Sequence, residues 1–157
     1  MMRVKNFLIK TTVQGVLSVS AWMAKREWLN PLTNTLMTTK ATTTIKTKGI
    51  READSLAELG QQWQRGFPSA KQVPITNITE DTVYAEIHTP CPLRGTGDVH
   101  ACYRMMAYDR EVVKKAGGQF VVLASQASHG NTFCRVAMRK TDADMHDLKS
   151  AHEQNIK

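Results

Sequence analysis

Thr82-Val83-Tyr84-Ala85-Glu86-Ile87-His88 alternates strictly, with Val83, Ala85 and Ile87 on one side and Thr82, Tyr84, Glu86 and His88 on the other. Successive side chains of a strand point to opposite faces, so this period of two predicts a half-buried β-strand. Upstream, Val73, Ile75 and Ile78 predict its partner, with Thr79-Glu80-Asp81 as the turn. The pattern returns downstream. Phe120 to Gln126 is an apolar run, Ala127 to Asn131 is a turn containing Gly130, and Phe133 to Arg139 is a second alternating segment. In it Cys134, Val136 and Met138 face one way and Arg135, Ala137 and Arg139 the other. Two hairpins pair antiparallel, and the segments between them are helical. The expected fold is therefore α+β: an antiparallel sheet built from two hairpins with helices packed on it, plus an N-terminal helix.

The helices are read from their ends and their apolar stripes. Ser55-Leu56-Ala57-Glu58 is a capping box, in which the serine and the glutamate satisfy the first free N–H groups of a helix. Leu56, Leu59 and Trp63 follow on one face, and Gly66 and Pro68 stop the helix near Arg65. Asp98 is an N-cap candidate for a helix over 99–116 that ends at Gly117-Gly118. At the start of the chain, Val4, Phe7, Leu8, Val13, Val16, Leu17, Ala21 and Ala24 recur at helical spacing and predict a helix over 4–29. Eight of the residues 32–49 are threonine, a composition that predicts an exposed linker or an edge strand. The expected organisation is a basic N-terminal helix and Thr/Lys-rich linker over 1–49, an α+β ligand-binding-type domain over 50–140, and over 141–157 a polar tail, a short helix or frayed.

Charge is distributed unevenly. The net charge is +7, and residues 1–50 hold eight Lys/Arg against Glu27 alone, which accounts for all of it. Such an arm suits an acidic partner or an anionic surface, or serves solubility. No paired Cys/His finger or aromatic-basic interleaving is present, so nucleic acid is not an expected partner. No apolar stretch has the length of a membrane span. Met1 to Ala21 has the outline of a secretory leader, but Lys10, Thr11, Thr12 and Gln14 interrupt its apolar part, so a cytoplasmic location is expected. The apolar stripe of residues 4–29 needs a cover: the chain's own body, a protein partner, or a second copy of the chain.

The cysteines number three, Cys91, Cys102 and Cys134, and an odd count argues against a closed disulfide framework. Cys91 sits in a loop rich in Pro and Gly, Pro90-Cys91-Pro92-Leu93-Arg94-Gly95-Thr96-Gly97, ahead of a helix start that would favour its thiolate. Cys102 and Asp109 are seven residues apart and share one stripe of the helix over 99–116. A carboxylate in an apolar stripe needs a partner, either Arg110 or Arg94 in a salt bridge or a ligand in a pocket. Cys134 alone reads as a core cysteine. The three together, with His100 or His129, are candidates for a mixed thiolate–imidazole zinc site, which makes zinc the one cofactor to be considered. Met105, Met106, Val122, Ala124, Val136 and Met138 are the expected lining of an apolar pocket between the 99–116 helix and the sheet.

Leu56 to Phe67, the hairpin ending at Cys91, Cys102 with its helix, the following strand and Gly130-x-x-x-Cys134 resemble the 4-vinyl-reductase domain family over roughly residues 50–140. The resemblance implies an α+β domain that holds a small apolar or aromatic molecule, with zinc in some members. In the zinc-bearing members a glutamate and a cysteine would fall at Leu123 and Gln126, so here Cys91 or His129 would have to substitute. Cys91-Pro92, Cys102, Asp109 and Gly130…Cys134 are also similar to the 2-amino-thiazoline-4-carboxylic acid hydrolase-like proteins. That resemblance implies a ring-opening hydrolase of C–N or C–S bonds, with a Cys91 thiolate as nucleophile and the Asp109 carboxylate beside it. A third expectation is a non-enzymatic subunit that docks onto a larger complex through its basic N-terminal segment.

Overall fold

The structure is a computed structural model, and it describes residues 15–154. The sheet is the one expected. β1 (Ile75–Ile78), β2 (Val83–Ile87), β3 (Gly118–Ala124) and β4 (Cys134–Lys140) form one antiparallel sheet in the order β1-β2-β4-β3. The register brings Val83 opposite Met138, Ala85 opposite Val136 and Ile87 opposite Cys134. On the other side of β4, Phe120 faces Met138 and Val122 faces Val136. The inward residues of three strands therefore line up as one apolar surface, which is what a strict period of two produces.

Helices α3 (Leu56–Gln64) and α5 (Ala107–Lys115) pack on that surface. Leu59, Trp63, Val112 and Val113 meet Val83, Ala85, Val136 and Met138 in the main core. The capping box holds: Ser55 Oγ accepts from Glu58 N at 3.2 Å, and Glu58 Oε2 accepts from Asp54 N at 3.0 Å. The approach of α3 to the sheet is close enough to require glycine. A Cβ on Gly118 would lie 2.7 Å from the Arg139 carbonyl oxygen and 2.8 Å from both methyl groups of Leu59.

Four sequence expectations need correction. Of the helix expected over 4–29, residues 4–14 lie outside the described residues. The rest is a helix over 15–24, here α1, followed by a short 3-10 turn at Glu27–Leu29. Residues 32–49 are neither a linker nor an edge strand. They belong to α2 (Asn30–Lys48), which carries Pro31 in its first turn and closes on Gly49 in the left-handed conformation, φ 61°. Thr33, Met37 and Ala41 form a buried stripe at spacing four, and α2 lies along α5 with Met37 and Ala41 in the main core. The threonines are accommodated by back-bonding. The hydroxyls of Thr33, Thr35, Thr38, Thr42, Thr43 and Thr47 donate to carbonyls four residues earlier.

The helix over 99–116 is two helices, α4 (Val99–Met105) and α5, because Met106 leaves helical geometry at ψ 3°. The tail is not frayed. It folds back over the second face of the sheet. Arg139, buried on that face, donates to both carboxylate oxygens of Asp147 at 2.6 and 2.7 Å and to Thr82 Oγ1 at 2.7 Å. Ala151 N donates to Val122 O at 2.8 Å, so the tail also shields part of the edge strand β3. No helix among the described residues is long and apolar enough to cross a membrane.

Gly118→Ala is expected to lower stability by about 1–3 kcal/mol, the usual cost of overpacking. A urea midpoint equal to that of the unaltered protein would contradict this close approach of α3.

Candidate functional site

The three cysteines come together at one end of the sheet. Cys134 opens β4, Cys91 lies in the loop that leaves β2, and Cys102 is on α4. α4 is started where expected, by Asp98 accepting from Ala101 N at 2.7 Å. Its inner side joins a second apolar cluster made of Ala21 and Ala24 of α1, Leu93, Val99, Ala101, Cys102 and Ala127, against which Cys91 packs. α1 is thus the cover of this end of the molecule, and Arg104 Nε fastens it by donating to Ala24 O at 2.6 Å.

The loop between β2 and α4 is held by one buried residue, Gln126. Its Nε2 donates to Ile87 O at 3.0 Å and Thr89 O at 3.1 Å, and its Oε1 accepts from Arg94 Nε and Nη2 at 3.0 and 2.8 Å. Gly95 N donates to Gln126 O at 2.9 Å, and Gly97 N to Ala127 O at 2.8 Å. Gly95 and Gly97 both sit at positive φ, 67° and 78°, which glycine adopts without strain. The Thr89 hydroxyl oxygen, two residues before Cys91, is buried without a hydrogen-bond partner among the described residues.

The electrostatics differ sharply among the thiols. Cys134 Sγ accepts from Gln126 N at 3.3 Å. The neighbouring Cys102 side chain and that N–H hold Cys134 below the ordinary cysteine range, against burial and the nearby Asp109 charge. Cys102 is pushed well above it by its neighbour Cys134, with burial adding to the shift. Cys91 is half-buried and also raised, chiefly by burial, although Leu93 N donates to its sulfur at 3.4 Å. Of the three thiols Cys134 is the one lowered, Cys102 the one raised furthest, and Cys91 the least buried. Proximity to a helix start was expected to favour a thiolate at Cys91; the sulfur that receives the strongest stabilisation is Cys134.

Asp109 lies on α5, beyond the break at Met106, in the main core rather than in the cluster of Cys102. Neither Arg110 nor Arg94 makes the salt bridge envisaged for it. Trp63 Nε1 donates to Asp109 Oδ1 at 2.9 Å, tying α3 to α5. Burial pushes its carboxyl up to about 6, opposed by the Trp63 bond and by the charges of Lys40 and Arg110.

The expected pocket lining is dispersed. Val136 and Met138 are fully buried in the main core and Val122 nearly so. Met105 packs on the smaller cluster, Met106 on both, and Ala124 is half-buried near the end of β3. A groove of about 590 Å³ lies elsewhere, where the outer edge of β3 meets the tail, and Val122 is the one of the six that lines it. Tyr103, Arg110, Phe120 and His152 also line it, with the Tyr103 and His152 rings 3.9 Å apart.

Among the described residues no three His, Cys, Asp or Glu side chains are arranged to hold a metal ion. His129 is exposed, its Nε2 standing over Gly97, and the polar atoms of Gln126 are spent on the loop. Leu123 offers no donor. No family model matches the chain, and no curated protein and no solved structure matches it.

Sequence reasoning found Cys91, Cys102, Cys134 and Asp109 but missed the clamp of Gln126 and Arg94. A lone glutamine at the end of an apolar strand carries no spacing signal.

The Asp109 carboxyl gains its proton more readily folded than unfolded, so its contribution to stability falls as pH rises from about 4 to about 6. A shift from 3.8 to about 6 corresponds to about 3 kcal/mol. Asp109→Asn is therefore expected to gain stability relative to the parent across that window, measured as the difference in urea midpoints at pH 4 and pH 7. An unchanging difference would contradict the burial of a charge at this position.

Proposed function

We propose that the chain is a cysteine-dependent hydrolase of small C–N or C–S heterocycles. The observation that supports this most is the gathering of Cys91, Cys102 and Cys134 at one end of the sheet, with Gln126 N donating to Cys134 Sγ at 3.3 Å. A thiolate is the nucleophilic form of cysteine, and a neighbouring proton donor is what a leaving group needs.

In this reading the Cys134 thiolate attacks the electrophilic ring carbon and an S–C bond forms. The ring C–N or C–S bond breaks, and the Cys102 proton passes to the departing nitrogen or sulfur. Water then cleaves the thioester-like intermediate; one of its protons restores Cys102 and the Cys134 thiolate is released. Cys91 is the least buried of the three and is the thiol a substrate would meet first. The unpartnered Thr89 hydroxyl offers a hydrogen-bonding position for a polar substrate atom. Asp109 acts through its charge on the basicity of Cys134 and does not touch the substrate.

A second reading has its own observation. The groove beside β3 has the volume and the aromatic lining to hold a small apolar or aromatic molecule without turning it over. Such binding would perturb Tyr103 and His152 and leave the thiols untouched.

Against a panel of thiazoline carboxylates and related cyclic amidines, Cys134→Ser is expected to reduce turnover at least about a hundredfold while circular dichroism is unchanged. Cys91→Ser should retain most of kcat and raise KM. Undiminished turnover in Cys134→Ser, or loss confined to Cys91→Ser, would overturn this assignment.

A further inference from the structure

We propose that the corner formed by α1 and the start of α2 is a docking face for an anionic lipid bilayer. The inner side of α1 carries Ala21 and Ala24 into the cluster around Cys102. Its outer side is apolar as well. Val19 is 57% exposed and Trp22 54%, and Val16 is exposed beside them. The stripe continues around the turn with Trp28 at 76% and along α2 with Leu32 at 59% and then Leu36. Trp28, Leu32 and Leu36 are spaced by four, so they share one side. Two of the three tryptophans are thus held out at one corner, while the third, Trp63, is fully buried. Scattered exposed apolar residues are ordinary, but six large ones, two of them tryptophan, within residues 16–36 are a concentration that marks an interaction surface.

The charge on this part of the chain indicates what covers it. Residues 1–50 carry eight Lys/Arg and one acid, a net +7, and residues 51–157 carry thirteen of each. Lys25 and Arg26 stand between the two tryptophans, with the Arg26 guanidinium 3.8 Å from the centre of the Trp22 ring. Tryptophan beside Lys and Arg is the composition that settles at the boundary between headgroups and acyl chains. A second copy of the chain would bring the same excess of positive charge to the same patch, which opposes pairing. An anionic bilayer offers apolar depth for the tryptophans and negative charge for the cations.

Flotation of the full chain with phosphatidylcholine vesicles, with and without phosphatidylglycerol, tests this. Co-flotation and a blue shift of tryptophan emission are expected with the anionic vesicles, both reversed by high salt. A Trp22→Ala/Trp28→Ala double variant with an unchanged circular dichroism spectrum should partition roughly tenfold or more weakly. Absence of binding to the anionic vesicles, or equal binding to neutral ones, would overturn the proposal. So would a stable dimer that the double variant dissolves, which would assign the face to a second copy, or retained binding in the double variant, which would move the contact to another part of the chain.

Discussion

Gln126 holds the cysteine end of the molecule together. Six hydrogen bonds converge on this buried side chain and its peptide groups: two to the strand end and loop at Ile87 and Thr89, two from Arg94, one from Gly95, and one to Cys134 Sγ. A buried amide that satisfies this many partners specifies one arrangement, because each unmade bond would leave a desolvated group behind. The loop carrying Cys91 has little apolar surface of its own apart from Leu93. Its position against the start of β4 depends on that amide, and so does the N–H that reaches Cys134. The geometry of the thiols follows from the clamp.

The polar interior has two separate centres. Around Gln126 the one charged partner is the Arg94 guanidinium, and the other bonds run to backbone groups and to the Cys134 sulfur. Around Asp109 a carboxylate is buried with a single indole N–H, while Lys40 and Arg110 act from a distance. The break at Met106 puts Cys102 on one helix and Asp109 on the next, and the Asp109 charge still reaches Cys134. Had the helix run unbroken, both would have stood on one stripe. A third polar node, Arg139 with Asp147 and Thr82, fastens the tail to the opposite face of the sheet and takes no part in either.

The sheet was legible because alternation at Val83–Ile87 and Cys134–Met138 is a direct consequence of strand geometry, and the Ser55 and Asp98 caps are local signals. α2 was not legible. Its eight threonines argue against a helix when each is counted alone, and what overrides them is the tertiary contact of Thr33, Met37 and Ala41 with α5, together with hydroxyls that bond back to the preceding turn. The break at Met106 has no proline or glycine to announce it. Of the site, the residue types were visible and their company was not: the sequence brings Cys91, Cys102 and Cys134 under suspicion together, but the ranking of the three thiols depends on which sulfur receives hydrogen bonds. The tail, polar throughout, gave no sign that Arg139 would draw it onto the sheet.

That ranking is what the account stands on. Differential alkylation of the intact protein with iodoacetamide, followed across pH by mass spectrometry of the three cysteine peptides, measures it directly. The account predicts that Cys134 reaches its thiolate form at lower pH than an ordinary cysteine, with Cys91 and Cys102 both above it and Cys102 last. A profile in which Cys134 titrates with or above Cys91 would contradict the lowered Cys134 thiol and the chemistry derived from it.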